Sequence, residues 1–173
     1  PQWREDLPEL TDAEKAEVDS MKEIYDYQRL DGFLLEGTVN LIILSPLLKL
    51  AGFFNPPYKI RSPYGVELEI PDPQQPVRGF IDALVIHEQL WVLVVESKRN
   101  GVSLVAAMPQ VLAYMLTQPQ PHRMVYGMVT NGDDFVFLKL VLGENPQYDT
   151  SRTFSLMPAY HDLDVVLQIL KKV

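Results

Sequence analysis

Residues 77–114 read VRGFIDALVIHEQLWVLVVESKRNGVSLVAAMPQVLAY, and this stretch decides the fold. A first apolar run carries Asp82, a polar break follows at 87–89, and a second run, 90–95, ends in Glu96-Ser97-Lys98. Short runs rich in Val, Ile and Leu favour buried strands over helices. Two such strands with a short polar link indicate a hairpin in the core.

Three ionisable residues accompany these apolar runs. Asp82 lies in the first run, and Glu96 and Lys98 end the second. A buried strand normally excludes charge, because an unpaired buried charge is costly. Side chains alternate across a strand, so Glu96 and Lys98 share one face. Two carboxylates that converge near a lysine form a suitable site for Mg²⁺, which prefers oxygen ligands.

The residues before the hairpin predict two helices and two strands. Thr11-x-x-Glu14 has the form of a capping box that opens an acidic helix. Residues 33–54 are long enough to cross a membrane, but their charged residues and proline would be costly in hydrocarbon. We expect instead a buried helix, broken near Pro46, with Ser45 capping its second piece. Residues 59–70 predict two strands around a turn at 62–65, and the proline-rich 71–76 predicts a loop.

The residues after the hairpin complete an α/β pattern. The predicted elements are a helix at 103–117, strands at 124–129 and 135–141 joined by Asn131-Gly132, a loop at 143–151, an edge strand at 153–156, and a helix at 163–172 capped by Asp162. A strand, a helix and another strand form a crossover unit. The sequence therefore predicts an α/β fold, with a central mixed β-sheet flanked by helices.

Charge is distributed unevenly along the chain. The net charge of −8 argues against a protein built to grip nucleic acid unaided. However, residues 1–36 hold 11 acids and 4 bases, while residues 37–173 hold 12 acids and 11 bases. We therefore expect an acidic N-terminal helical segment, 1–31, before a single nearly neutral domain, 32–173. The acidic helix is a solvated face with one packed stripe or, alternatively, a contact for a basic partner.

The central stretch resembles the PD-(D/E)xK nuclease superfamily. Asp82 followed by Glu96-x-Lys98 at the end of a hairpin strand matches its signature, although Ile81 replaces the proline that often precedes the aspartate. On the next helix, Gln110-x-x-x-Tyr114 is similar to an element of some branches. The resemblance implies a restriction-endonuclease-like core with the order α-β-β-β-α-β.

A second set of residues narrows the resemblance. Thr130-Asn131-Gly132 and the strand-like 135–137 resemble the N-terminal nuclease domain of type I restriction enzyme R subunits (HsdR). Together the similarities cover residues 32–141. They imply a DNA endonuclease that hydrolyses phosphodiesters with Mg²⁺ or Mn²⁺.

The resemblance assigns roles around the cation. Asp82 and Glu96 would hold the metal, with the carbonyl of Ser97 as a further ligand. Lys98 would orient the attacking water or neutralise charge that builds on phosphorus. Glu36, on the first core helix, would hold the metal's water or a second ion. The alternative for Glu36 is a carboxylate at a helix start, where the macrodipole favours it.

Four further residues are expected to act around these ligands. By resemblance, Gln110 and Tyr114 would orient Lys98 or contact the DNA backbone. Arg78 and Arg99 flank the site and would bind substrate phosphates, which positions DNA without reading its sequence. The alternatives are ordinary helix-surface residues for the first pair and solvated charges for the second.

The expected partners follow from the same resemblance. DNA is the expected substrate, other restriction–modification subunits are candidate partners, and a homodimer is open. A different class of function is a catalytically inert nuclease-fold module that binds a protein or nucleic acid. No secretory signal pattern opens the chain, so the cytoplasm is the expected compartment and no membrane partner is expected.

Overall fold

The computed structural model describes residues 2–68, 77–119, 124–157 and 159–173. The helices are a 3₁₀ turn Gln2–Arg4, α1 Asp12–Arg29, α2 Glu36–Val39, a π-helical segment Asn40–Leu44, α3 Ser45–Leu50, α4 Leu104–Leu116 and α5 Leu163–Lys172. The strands are β1 Tyr58–Arg61, β2 Tyr64–Leu68, β3 Val77–Ile81, β4 Ala83–His87, β5 Leu90–Ser97, β6 Met124–Thr130, β7 Asp134–Val141, β8 Gln147–Thr150 and β9 Phe154–Ser155.

A mixed sheet forms the centre of the molecule. Its strands lie in the order β1-β4-β5-β6-β7-β8, and β9 pairs with β7. The predicted hairpin is confirmed, with β4 antiparallel to β5 and Ala83 opposite Val95. Strand β6 lies parallel to β5 and is reached through α4, as the crossover pattern predicts. The Asn131-Gly132 hairpin is also confirmed, since β6 and β7 are antiparallel neighbours.

Helices cover both faces of this sheet. Alternate residues of β5 face opposite sides, so Leu93 and Val95 enter one hydrophobic core and Val94 enters the other. The first core lies under α1, the helical residues 36–50 and α5, whereas the second lies under α4. The predicted α/β fold, a mixed sheet flanked by helices, is confirmed.

The acidic N-terminal segment packs on the first core. The predicted capping box is present, with the side chains of Thr11 and Glu14 bonded reciprocally to backbone N–H groups. Val18, Met21 and Tyr25 form the buried stripe of α1. The segment therefore contributes buried surface to the same core as the sheet, and its separation from 32–173 as a distinct unit stays a prediction.

The chain bends sharply at Asp82, which the sequence did not predict. Strand β3 pairs with β2 in a separate two-stranded ribbon, whereas β4 pairs with β1 and β5 in the main sheet. The two strands expected around the turn at 62–65 are present as β1 and β2, and each pairs with one half of the bent segment. The carbonyl of Asp82 accepts a hydrogen bond from Ser62 Oγ at 2.6 Å. The predicted loop at 71–76 lies outside the described residues.

Residues 36–50 form one uninterrupted helical run. The expected break is wrong: Ser45 has helical φ and ψ, and its side chain makes no capping bond. A π-helical segment, 40–44, precedes Pro46 instead, and widening a turn is a way to accommodate a residue that lacks an N–H. Val39, Ile43 and Leu47 are buried, as expected. Among the described residues, no helix is both long and apolar enough for a membrane span.

Two predictions near the C-terminus need correction. Residues 147–150, expected to be loop, form the edge strand β8; most of its side chains are exposed, so no apolar alternation marked it. Asp162 precedes α5 but makes no side-chain cap. It accepts two bonds from the Arg152 guanidinium, at 2.8 and 3.0 Å, because the nearby arginine is a stronger partner.

Helix α4 packs so closely on β6 that a methyl group at Gly127 should destabilise the fold. A Cβ there would lie 2.8 Å from Met115 Sδ and 2.9 Å from Val111 Cγ1. We expect Gly127→Ala to cost about 1–3 kcal/mol in urea unfolding, as overpacking typically does. Gly143→Ala is the matched control, because a Cβ at Gly143 meets nothing within 4 Å. Equal stability of the two variants would contradict this packing.

Candidate functional site

Asp82 is held against the end of β5. Its position at the bend, beside Ala83, brings its carboxylate to the strand that carries Glu96. Asp82 Oδ2 accepts hydrogen bonds from the backbone N–H of Ser97 at 2.7 Å and from Ser97 Oγ at 3.1 Å. Ser97 is fully buried, so these two bonds orient the carboxylate firmly.

Glu96 is a buried carboxylate with one unsatisfied oxygen. The residue is only 2 % exposed. Its Oε1 accepts a hydrogen bond from Lys98 Nζ, whereas no described group bonds to the buried Oε2. Burial, together with the charges of Asp82 and Glu36, raises the pKa of Glu96 to about 7, although Lys98 opposes the shift. An orphan buried oxygen normally needs a partner.

Lys98 lies on the same face as Glu96, as strand alternation predicts. Its backbone N–H donates to the carbonyl of Thr130 at 2.8 Å, which fixes the chain beyond the end of β5. Burial lowers the pKa of Lys98, but the bond to Glu96 and the charges of Glu96, Asp82 and Glu36 outweigh burial and raise it. Lys98 therefore stays a cation at neutral pH.

Glu36 stands at the rim of this cluster. It is the first residue of α2 and is exposed. Its negative charge raises the pKa of both Glu96 and Lys98, so it lies close enough to interact with them electrostatically. The structure therefore brings Glu36 near the pair that the sequence placed at the site.

The donor set suits a hard divalent cation. Asp82 and Glu96 offer carboxylate oxygens, and the partnerless Oε2 of Glu96 is a group that an ion would satisfy. In the described part of the chain, no group of three or more Asp, Glu, His or Cys side chains is arranged to hold a metal. An ion here would therefore keep several waters, as Mg²⁺ usually does.

Gln110 and Tyr114 bond to each other rather than to Lys98. Gln110 Nε2 donates to Tyr114 Oη at 2.7 Å. Tyr114 is 3 % exposed, and a Cβ on Gly79 would lie 2.5 Å from its ring. Burial keeps Tyr114 from touching a DNA backbone in this conformation. Tyr114 instead packs α4 against the β2–β3 ribbon.

Arg78 and Arg99 are both exposed, and Arg78 is part of an ion pair. Arg78 lies on β3, and its guanidinium is 3.4 Å from the carboxylate of Glu67 on β2. Both side chains are largely exposed, so this ion pair is weak. Arg99 is exposed directly after Lys98. The structure leaves both cations at the surface.

A polar network behind the site was missed in the sequence. Asn100 is fully buried and bonds to Leu34, Tyr25 and Asn131. The hydroxyl of Tyr25 also donates to Asp133 Oδ1. Asn131 was recognised only in a turn signal and in the Thr130-Asn131-Gly132 resemblance, and Asn100 was given no role. An Asn that follows a strand and adjoins a buried apolar run could have been read as a side chain with long-range partners.

Comparison with known proteins identifies a shared fold. No family model matches the chain, and no curated protein matches it. Among solved structures, the chain is similar to a fragment described as the HsdR subunit of a type I restriction enzyme from Vibrio vulnificus YJ016. The TM-score is 0.50 and the identity 18 %, over 79 % of this chain and 26 % of that chain. This chain thus spans about a quarter of that one. At this identity the likeness establishes the mixed α/β fold, which is consistent with a nuclease-like core.

Proposed function

We propose that the protein is a Mg²⁺- or Mn²⁺-dependent DNA endonuclease of the PD-(D/E)xK type. One observation carries the proposal: a buried Glu96 keeps Oε2 without a partner while Lys98 contacts Oε1 and Asp82 is fixed alongside. Lys98 contacts only one of the two carboxylate oxygens, and the other oxygen is buried. A cation site needs a free one.

Each side chain of the site would have its own role in phosphodiester hydrolysis. When bound, the cation would polarise the scissile phosphate and lower the pKa of its water. Asp82 and Glu96 would hold it, with the Ser97 carbonyl as a further ligand. Lys98, kept charged by its neighbours, would orient the attacking water or offset charge that builds on phosphorus. Glu36 would accept from waters at the rim.

The finer assignment is a nuclease like that of type I restriction R subunits. The fold neighbour described as an HsdR subunit supports it. Arg78 and Arg99 would then bind DNA phosphates, and Gln110 with Tyr114 would support the ribbon beside the site. Other restriction–modification subunits, or a second copy of this chain, would be the partners.

Loss of cleavage in Asp82→Asn and Lys98→Met is the direct test. We expect the unchanged protein to cleave a supercoiled plasmid with Mn²⁺, and each variant to be slower by about a hundredfold or more. Losing a ligand or the cation beside phosphorus should cost about 3 kcal/mol of transition-state stabilisation. Rates are measured by gel under single-turnover conditions.

Matched surface changes control for purification artefacts. Asp149→Asn and Lys59→Met remove the same charges from exposed positions on β8 and β1. Both should cleave like the unchanged protein. Equal cleavage by all five proteins would point to a contaminant and reject the proposal.

A second candidate is a catalytically inert module that binds a protein partner. It is favoured by a run of large apolar side chains, each at least 67 % exposed, comprising Tyr27, Leu30, Phe33, Leu35 and Leu41. Calorimetric titration with Mn²⁺ separates the two candidates. Heat of binding that disappears in Asp82→Asn favours the nuclease, and its absence from the unchanged protein favours the module.

A further inference from the structure

A buried polar network joins three distant segments behind the site. Asn100 Nδ2 donates to the carbonyl of Asn131 at 2.5 Å and to Tyr25 Oη at 3.2 Å. Tyr25 Oη donates in turn to Asp133 Oδ1, which also accepts from Arg29 Nε at 3.3 Å. The network therefore links α1, the loop after β5 and the β6–β7 loop.

The chemistry of this network requires an amide at position 100. Asn100 Oδ1 accepts from the backbone N–H of Leu34 at 2.7 Å, while its two amide hydrogens have two acceptors. The backbone N–H of Asn100 donates back to the carbonyl of Leu34 at 3.1 Å. Residues 34 and 100 are thus tied by a reciprocal pair of bonds.

Leu34 and Asn100 are each close in sequence to a site residue. Leu34 lies two residues before Glu36, and Asn100 lies two residues after Lys98. Asn131 also donates from Nδ2 to the carbonyl of Val102 at 2.9 Å, so the loop after Lys98 is held at both ends. The network therefore sets where the segments that carry Glu36 and Lys98 lie relative to each other.

We infer that Tyr25 and Asn100 are positioning residues for the nuclease reaction, a role that rests on the proposed function. They do not touch the cation ligands Asp82 and Glu96: Ser97 holds Asp82 in place, and Glu96 lies within β5 itself. Their loss should displace Lys98 and Glu36 and leave the cation site intact. The acidic helix α1 then contributes to catalysis through the hydroxyl of Tyr25.

Tyr25→Phe tests this role, because it removes one hydroxyl and keeps the buried ring. We expect its single-turnover cleavage rate with Mn²⁺ to fall about tenfold, since small misplacements of reacting groups are costly. Mn²⁺ affinity, measured calorimetrically, should stay within about twofold of the unchanged protein. Tyr126→Phe is the matched control, since Tyr126 lies near the opposite end of β6 from Asn131.

The outcomes distinguish the positioning role of Tyr25 and Asn100 from the proposed nuclease function. A tenfold slower Tyr25→Phe with unchanged Mn²⁺ affinity supports positioning. If Tyr25→Phe and Tyr126→Phe cleave equally fast, the positioning role is wrong while the proposed function stands. A parallel fall in rate, Mn²⁺ affinity and folded fraction by circular dichroism would assign the network to folding alone. An unchanged protein that neither binds Mn²⁺ nor cleaves would reject the proposed function itself.

Discussion

Glu96→Gln is expected to stabilise the cation-free protein at pH 8 and to abolish its cation-dependent stabilisation. Glu96 is 2 % exposed, and burial raises its pKa from 4.5 to about 7. The folded state therefore holds a proton that the unfolded state releases above pH 4.5. Stability contributed by this residue is intact below pH 4.5, falls as pH rises, and is lost above about 7.

The size of the stability difference follows from the shift in the pKa of Glu96. A difference of this kind corresponds to about 3 kcal/mol at pH 8, which the neutral glutamine would recover. Urea unfolding at pH 4.5 and pH 8, with a chelator present, measures it. A divalent cation at a thousandfold excess over Kd should reverse the order, since binding then adds about 4.1 kcal/mol to the unchanged protein alone.

Glu144→Gln provides the comparison for this prediction. Glu144 is exposed in the loop after β7, so its substitution should leave the pH dependence of unfolding unchanged. A Glu96→Gln protein with the same stability as the unchanged protein at pH 8 would mean that folding does not raise the pKa of Glu96. Its environment would then be wetter than the structure describes.

Asn100→Asp is expected to be the most destabilising single change behind the site. Its carboxylate would keep an acceptor for Leu34 but would face the carbonyl of Asn131, which now lies 2.5 Å from an amide nitrogen. Asn100 is fully buried, so the new charge has no solvent around it. Uncompensated buried charges cost about 3–5 kcal/mol, measurable by thermal or urea unfolding.

The exposed Asn145 supplies the matched change, because Asn145→Asp adds the same charge at the surface. It should alter stability by about 0.5 kcal/mol or less. Lowering the pH toward 4 should partly restore Asn100→Asp, since a protonated carboxyl regains a donor. An Asn100→Asp protein as stable as Asn145→Asp at pH 7 would contradict the buried network.

The sequence predicts what depends on local pattern. The β4–β5 hairpin, the crossover through α4 and the Asn131-Gly132 turn each follow from apolar runs and the residues between them. The grouping of Glu96 with Lys98 follows from strand alternation. The bend at Asp82 does not, because the apolar pattern runs through it without a break and only the pairing with β1 and β2 separates its halves.

Residues with distant partners escaped prediction for a related reason. Asn100 bonds to residues 66 and 75 positions away, and no local pattern encodes such contacts. Tyr114 was expected near Lys98 from the family resemblance. Its burial against Gly79 depends on the ribbon that the bend creates. The parts of the site beyond the carboxylates and lysine therefore required tertiary structure.

The bend at Asp82 has a mechanical consequence. Strands β3 and β4 belong to different sheets, so rotation of the β2–β3 ribbon would pull the Asp82 carboxylate against its two bonds from Ser97 without breaking the pairing of β4 with β5. A long polymer bound to the ribbon would thereby change the distance between the carboxylates of Asp82 and Glu96. Ion affinity that changes when such a polymer is bound, and does not change with short oligomers, would be the signature of this hinge.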